Sequence, residues 1–238
     1  MVSPELELKL FEPSQGTVEL WVEPGWRGAW PPGGNRSEYN RLGNGLLHFG
    51  VLWPWQPQVT HSDSVSLAHH DFSGDLVFSI ASYNHVGWTS SGDLRSVETW
   101  RPGTWHHVAC VWDATAAAEN WLRLYLDGKA CGGVTQVSHP EQWPGDDKSP
   151  RVRNDAPFVV QVGCLNSGRA PANAWFDELR VSRAARYRSD FVPTTEELAL
   201  DRDTSALFHF NGSLKGEGLT PEGDRYDVTS TAGVFEYR

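Results

Sequence analysis

The chain has 238 residues, 39% of them apolar and 21% charged, so it is long enough and apolar enough to bury a sizeable core. Its formal net charge of −10, from 20 basic and 30 acidic residues, argues against nucleic acid and anionic membrane surfaces as partners. No apolar run reaches membrane-spanning length, so we expect no membrane insertion.

Three further features describe the general class of the chain. Its 23 glycines and 15 prolines recur every few residues, as expected for many short strands and turns. Cys110, Cys131 and Cys164 are too few and too widely spaced for a disulfide framework or a zinc knuckle. We therefore expect buried or half-buried thiols, with one disulfide and a spare thiol as the alternative.

Met1 precedes Val-Ser-Pro-Glu, with neither a basic start nor an apolar stretch, so no signal peptide is predicted.

Strand patterns begin near the amino terminus. In residues 17–23, the alternation of Val18, Leu20 and Val22 predicts a strand with one apolar face. Residues 76–80 repeat that alternation.

The strongest local pattern is a hairpin. Residues 105–113 and 121–129 are predicted to be paired strands, because both are rich in apolar residues and a short polar, alanine-rich segment joins them. In the second strand, three leucines face one way and two larger side chains the other: Leu122, Leu124 and Leu126 against Arg123 and Tyr125. Asp127-Gly128 then supplies a turn.

Further strands are predicted at residues 158–163, 175–182 and 206–210. Short strands at regular intervals, with turn residues between them, indicate an all-β sandwich or barrel.

Long loops interrupt the strand pattern and carry many tryptophans. Residues 25–44 include Trp30, and residues 52–63 include Trp53-Pro54-Trp55. A third loop, residues 139–155, includes Trp143. Long ordered loops are common places for function.

Four motifs in order resemble laminin-G-like jelly-roll domains. Residues 16–22 resemble the opening strand of those domains, residues 105–113 their signature strand and residues 122–129 the strand after it. Residues 176–182, Phe-Asp-Glu-Leu-Arg-Val-Ser, are similar to their closing signature.

The resemblance implies a concanavalin A-like jelly roll, a two-sheet antiparallel β-sandwich. Residues 1–238 are expected to form a single domain, with residues 201–238 as closing strands or a C-terminal extension. Residues 185–193 and then 203–212 are similar to tails that follow such domains in phage structural and bacterial surface proteins, which implies an extracellular surface or a virion. Relatives usually have aspartate where this chain has Asn211.

Catalysis is not expected. Glycoside hydrolysis needs two carboxylates flanking the scissile bond, but strand alternation sends the adjacent Asp177 and Glu178 to opposite faces. We interpret Glu178 as solvated and Asp177 as anchoring a loop. No Gly-x-Ser-x-Gly elbow and no His-Glu-x-x-His zinc motif occurs in the sequence.

Asp177 is nevertheless a candidate metal ligand. It shares strand parity with Leu179 and Val181, so we expect it at the margin of their apolar face, where a carboxylate needs a partner. Backbone amides, an arginine or a cation would serve. The resembling family often carries a structural calcium ion at the sandwich rim, and the resemblance implies that Asp177 contributes to such a site.

The candidate binding residues come from among the twelve tryptophans. Five lie on predicted strands, where core or sheet-face packing is expected: Trp21, Trp105, Trp112, Trp121 and Trp175. Rings in loops can instead offer an apolar face to sugars or proteins. The predicted ligand-binding residues are Trp30, Trp53, Trp55 and Trp143. The alternative is that these rings fold back as lids over the ends of the sandwich.

These observations favour a non-catalytic, lectin-like binding or adhesion module that recognises a glycan or cell-surface ligand. A structural subunit of a virion or surface layer, with neighbouring subunits as partners, is the second hypothesis. A polysaccharide-active enzyme of the same fold is the third.

Overall fold

The structure is a computed structural model of the chain. It describes residues 14–25, 44–51, 64–69, 75–82, 85–90, 97, 99–113, 115–117, 120–131, 135–137, 158–164 and 172–229. No helix within these ranges is both long and apolar enough to cross a membrane.

Strands dominate the described residues. In chain order they are β1 (Gln15–Pro24), β2 (Asn44–Val51), β3 (Ser64–His69), β4 (Leu76–Ser82), β5 (His85–Ser90), β6 (His106–Asp113), β7 (Leu122–Leu126), β8 (Lys129–Ala130), β9 (Thr135–Val137), β10 (Phe158–Val162), β11 (Ala174–Ser182), β12 (Thr204–Phe208), β13 (Lys215–Leu219) and β14 (Arg225–Thr229).

Two antiparallel sheets make up the fold. One has eight strands in the order β14-β13-β12-β11-β1-β6-β7-β8, and the other has six in the order β10-β2-β3-β4-β5-β9. Buried apolar side chains from both sheets form one core between them. The predicted β-sandwich is confirmed, and β12–β14 extend the larger sheet beyond β11.

The alternation on β1 explains which face is buried. Val18, Leu20 and Val22 are at most 1% exposed, as the sequence predicts. Burying each such side chain contributes about 1.5–3 kcal/mol. Glu19, Trp21 and Glu23 alternate with them, and so point to the opposite side of the eight-stranded sheet, which we call the outer face.

The predicted hairpin is confirmed. β6 pairs with β7 antiparallel, and the leucines of β7 enter the core between the sheets. Asp127 and Gly128 form the following turn at φ 49° and 74°. Tyr125 points to the outer face instead, where it joins a second small cluster with Ala109 and Val111.

A segment after β11 covers part of the outer face. Residues 184–193, the cover segment, place Ala185, Tyr187 and Phe191 on that second cluster. The rings of Tyr187 and Phe191 stack with their centroids 3.6 Å apart. This part of the outer face is therefore closed to solvent.

All three cysteines are free thiols, as the sequence favours. Cys110 on β6 pairs with Leu124, whose carbonyl oxygen accepts a hydrogen bond from the backbone N–H of Cys131 on the far side of β7. The two cysteines are thus two strand spacings, or about 10 Å, apart, which is more than a disulfide spans.

Candidate ligand-binding site

Two tryptophans flank a carboxylate on the outer face. Glu23 of β1 pairs with Trp175 of β11. On its other side, Val22 pairs with His106, so the same register carried one residue further sets Trp105 opposite Glu23. We call Trp105, Glu23 and Trp175 the tryptophan row.

The two rings of the row are exposed. Trp105 is 40% exposed and Trp175 is 47% exposed, whereas Trp112 and Trp121 are buried in the core. Core or sheet-face packing was predicted for all four rings; Trp112 and Trp121 pack in the core, whereas Trp105 and Trp175 lie on the outer sheet face and stay partly exposed. Trp175 lies at an outward position of β11 and Trp105 immediately precedes β6, at the end of the outer face that the cover segment does not reach.

Contacts of the residues around Trp105 fix the backbone at this end of the row. Oε1 of Glu23 accepts a hydrogen bond from the backbone N–H of Gly103 at 2.9 Å, which fixes the turn before Trp105. Next to Trp105, the His106 ring stacks on the buried Trp100 with 4.2 Å between centroids. Asp127 Oδ2 lies 2.9 Å from His106 Nδ1 and holds that ring from its other side. The start of β6 is thus anchored beside the exposed ring.

The next row along the sheet is His107, Trp21 and Asp177. The Trp21 and His107 rings meet edge to face, with centroids 5.3 Å apart. Because Asp177 pairs with Trp21, its side chain belongs to the outer face.

The parity prediction for Asp177 is therefore wrong, and the cause is a β-bulge. The register of β1 with β11 shifts by one residue between Glu19 and Trp21, so Leu20 faces two residues of β11. Glu178, in the bulge, has φ 50°. Leu179 and Phe176 consequently both pack against the core, although residues three positions apart on a regular strand face opposite sides.

Glu178 is buried, so its interpretation as a solvated residue is also wrong. It is 7% exposed. Its Oε2 accepts a hydrogen bond from the Leu198 backbone N–H at 2.7 Å, and its Oε1 lies 2.7 Å from His209 Nδ1. This carboxylate joins the bulge to the segment between β11 and β12.

A fully buried carboxylate lies further along β1. Glu19 is 1% exposed and receives hydrogen bonds from Arg180 Nε at 2.8 Å and Tyr187 Oη at 2.6 Å, and His107 Nε2 lies 3.2 Å away. Burial alone would raise the pKa of Glu19, but the hydrogen bond with His107 and the charge of Arg180 hold it below its usual value. The network ties the cover segment to the sheet.

One side-chain group among the described residues could hold a metal ion, and its donors are not those that calcium prefers. It brings three donor atoms within 4.8 Å of one another, from Glu178, Glu197 and His209. Calcium takes six to eight oxygen ligands, whereas this group includes an imidazole nitrogen and omits Asp177. Asn211 donates to Glu197 Oε1 at 2.8 Å, so it supports that carboxylate. The calcium role of Asp177 stays a prediction.

The other predicted site residues, Trp30, Trp53, Trp55 and Trp143, lie outside the described residues. The row that the structure brings together was missed because its tryptophans lie on predicted strands. One signal was available, the alternation of side chains along a strand. Trp175 precedes the inward-facing Phe176 and Glu23 follows the inward-facing Val22, so both side chains are expected on the outer face.

The two sheets packed around one core define the class of protein as an antiparallel β-sandwich. The chain belongs to the concanavalin A-like lectin/glucanase superfamily, whose family model matches residues 4–190. No curated protein sequence matches the chain.

Solved structures are similar to this chain at low identity. The mouse laminin α1 chain, domains LG4-5, is 17% identical at TM-score 0.42, and the alignment covers 72% of this chain and 36% of that one. The Ruminococcus gnavus IT-sialidase CBM40 bound to α2,3-sialyllactose is 13% identical at TM-score 0.42, covering 74% and 79%. A heptameric SAP-like pentraxin from Limulus polyphemus is 14% identical at TM-score 0.40, covering 78% of each chain.

Proposed function

We propose that the chain is a non-catalytic, lectin-like module that binds a glycan on the tryptophan row. The observation that carries this proposal is the exposure of Trp105 and Trp175 on either side of Glu23. An indole ring loses little conformational entropy on binding and offers an apolar face to the C–H bonds of a sugar. The paired strands fix the backbones that carry the rings, so part of the surface is organised before a ligand arrives.

Charge limits the ligands that this surface accepts. Glu23 and Asp177 bring two carboxylates to the row and its neighbour, and the whole chain carries a net charge of −10. Polyanions would be repelled. A neutral glycan on a cell surface or in an extracellular matrix fits these charges, and the module would work at an extracellular or particle surface.

The test is glycan binding by variants of the row. A glycan array identifies a ligand, and calorimetry then compares the wild type with Trp105→Ala/Trp175→Ala. We expect the double variant to lose at least tenfold in affinity, whereas Trp105→Phe/Trp175→Phe, which keeps two rings, retains most of it. Unchanged affinity in the double alanine variant contradicts the proposal.

A subunit role in a larger assembly makes a different prediction. The row would then contact a neighbouring protein, and light scattering would find oligomers that Trp105→Ala/Trp175→Ala dissociates. A monomer that binds glycan favours the lectin-like module.

A further inference from the structure

We infer that the ligand of the tryptophan row is an extended, neutral, β-1,4-linked glycan chain that lies across the strands. This inference rests on the proposed function and specifies its substrate class. It follows from the spacing of the row, from the group between its rings and from its charge.

The spacing follows from the sheet. Trp105 precedes β6 and Trp175 lies on β11, with β1 between them, so their backbones are two strand spacings, or about 10 Å, apart. In an extended β-1,4-linked chain each sugar ring is flipped relative to the one before it, so every second ring presents the same apolar face. That repeat matches the separation of the two tryptophan backbones. An α-1,4-linked chain coils and does not place alternate rings in this way.

The group between the rings also fits such a chain. Glu23 lies between the two tryptophans, and its Oε1 is held by the backbone N–H of Gly103. Among the contacts of the described residues, no hydrogen bond is made by its Oε2, which can accept one from a hydroxyl group of the middle sugar. Hydrogen bonds to a carboxylate are among the stronger ones.

Charge then selects among β-1,4-linked chains. The six positions of the row and its neighbour hold the carboxylates of Glu23 and Asp177 and no lysine or arginine. Chains of glucose, mannose or N-acetylglucosamine carry no charge to be repelled. Chains with uronic acid or sulfate would place an anion over Glu23, which costs affinity.

Chain length gives the sharpest test, because a disaccharide can cover one tryptophan and a trisaccharide is the shortest chain that covers both. Calorimetry with β-1,4-linked dimers and hexamers of glucose, mannose and N-acetylglucosamine should show at least one series in which the hexamer binds tenfold or more tighter than the dimer. Either Trp105→Ala or Trp175→Ala should reduce the hexamer to the affinity of the dimer. Glu23→Gln should weaken the neutral hexamer several-fold and reduce the discrimination against heparin fragments. Circular dichroism and the melting temperature check that each variant is folded.

Two kinds of contrary result are distinguishable. Equal or tighter binding of maltohexaose or heparin fragments, lost in Trp105→Ala and Trp175→Ala, overturns this inference and leaves the proposed function standing. The absence of length dependence in a β-1,4-linked series that the row binds also overturns it. Absence of binding to every glycan, or binding that ignores both tryptophans, overturns the proposed function itself.

Discussion

Arg180 and Glu19 form a buried ion pair across β11 and β1, although 161 residues separate them in the chain. Arg180 donates from Nε to Glu19 Oε1 at 2.8 Å, and a terminal guanidinium nitrogen lies 2.7 Å from the same oxygen. The same two strands carry Trp175 and Glu23 of the tryptophan row. The pair thus helps to fix the scaffold on which the proposed binding surface lies.

Removing the carboxylate of Glu19 should lower the free energy of unfolding. Glu19→Gln leaves the Arg180 charge uncompensated, and breaking a buried pair in this way costs about 3–5 kcal/mol of unfolding free energy. Glu23→Gln is the matched control, since it makes the same change on the same face of β1 at an accessible position, and we expect it to cost less than about 1 kcal/mol. Urea unfolding measures both, and equal losses would contradict the assigned role of Glu19.

Stability should fall on acidification. Hydrogen bonds from Arg186, at 2.8 and 2.6 Å, lower the pKa of Asp201, and Glu19 is also below its usual value. Groups with a lowered folded-state pKa add stability above their unfolded pKa, about 4 for these carboxylates, and lose it as the pH falls further.

The measurement is the unfolding free energy of the wild type and Asp201→Asn between pH 2 and 7. The variant should be less stable at pH 7 and show a shallower decline below pH 4. Parallel curves would show that Asp201 is not a source of the acid sensitivity.

The cover segment restricts the turn after β7. An added methyl group at Gly128 would collide with the carbonyl oxygen of Phe191, whereas nothing lies within 4 Å of one at Gly103. Both glycines have positive φ, so alanine pays a left-handed backbone cost of about 1–2 kcal/mol at either position. Gly128→Ala should therefore lower the melting temperature more than Gly103→Ala does. Equal shifts would argue against tight docking of the cover segment.

Two thiols should resist labelling in the native protein. Burial raises the pKa of Cys110 well above its usual value and raises the pKa of Cys131 to about 12. The thiolate is the reactive form, so iodoacetamide at pH 8 should modify neither residue until denaturant is added. Mass spectrometry of native and unfolded samples locates the labels, and rapid native labelling of Cys131 would be the contrary result.

Local patterns predicted the core strands well, because alternation depends on neighbours in sequence. Val18 and Leu20 are inward as predicted, and the turn at Gly128 follows the predicted hairpin. The face of Asp177 was not predictable, because a bulge leaves the alternating pattern of the sequence unchanged.

Alternation indicated that the two tryptophans of the row face outward, but it did not predict that they stay exposed. A strand pattern separates the core face from the outer face, but it does not tell which part of the outer face another segment covers. Tyr125 is covered by Tyr187, 62 residues later, whereas Trp105 and Trp175 stay exposed. Coverage of this kind is decided by contacts between distant segments, so only the folded chain reveals the candidate site.

The most direct test of the proposed binding surface is a titration of the indole N–H signals by nitrogen-15 NMR with a glycan identified on the array. Signals are assigned from single tryptophan-to-phenylalanine variants. The signals of Trp105 and Trp175 should shift with the ligand, while those of the buried Trp112 and Trp121 stay in place. Shifts confined to other tryptophans, with Trp105 and Trp175 unmoved at saturation, would contradict the claim that the tryptophan row is the binding surface.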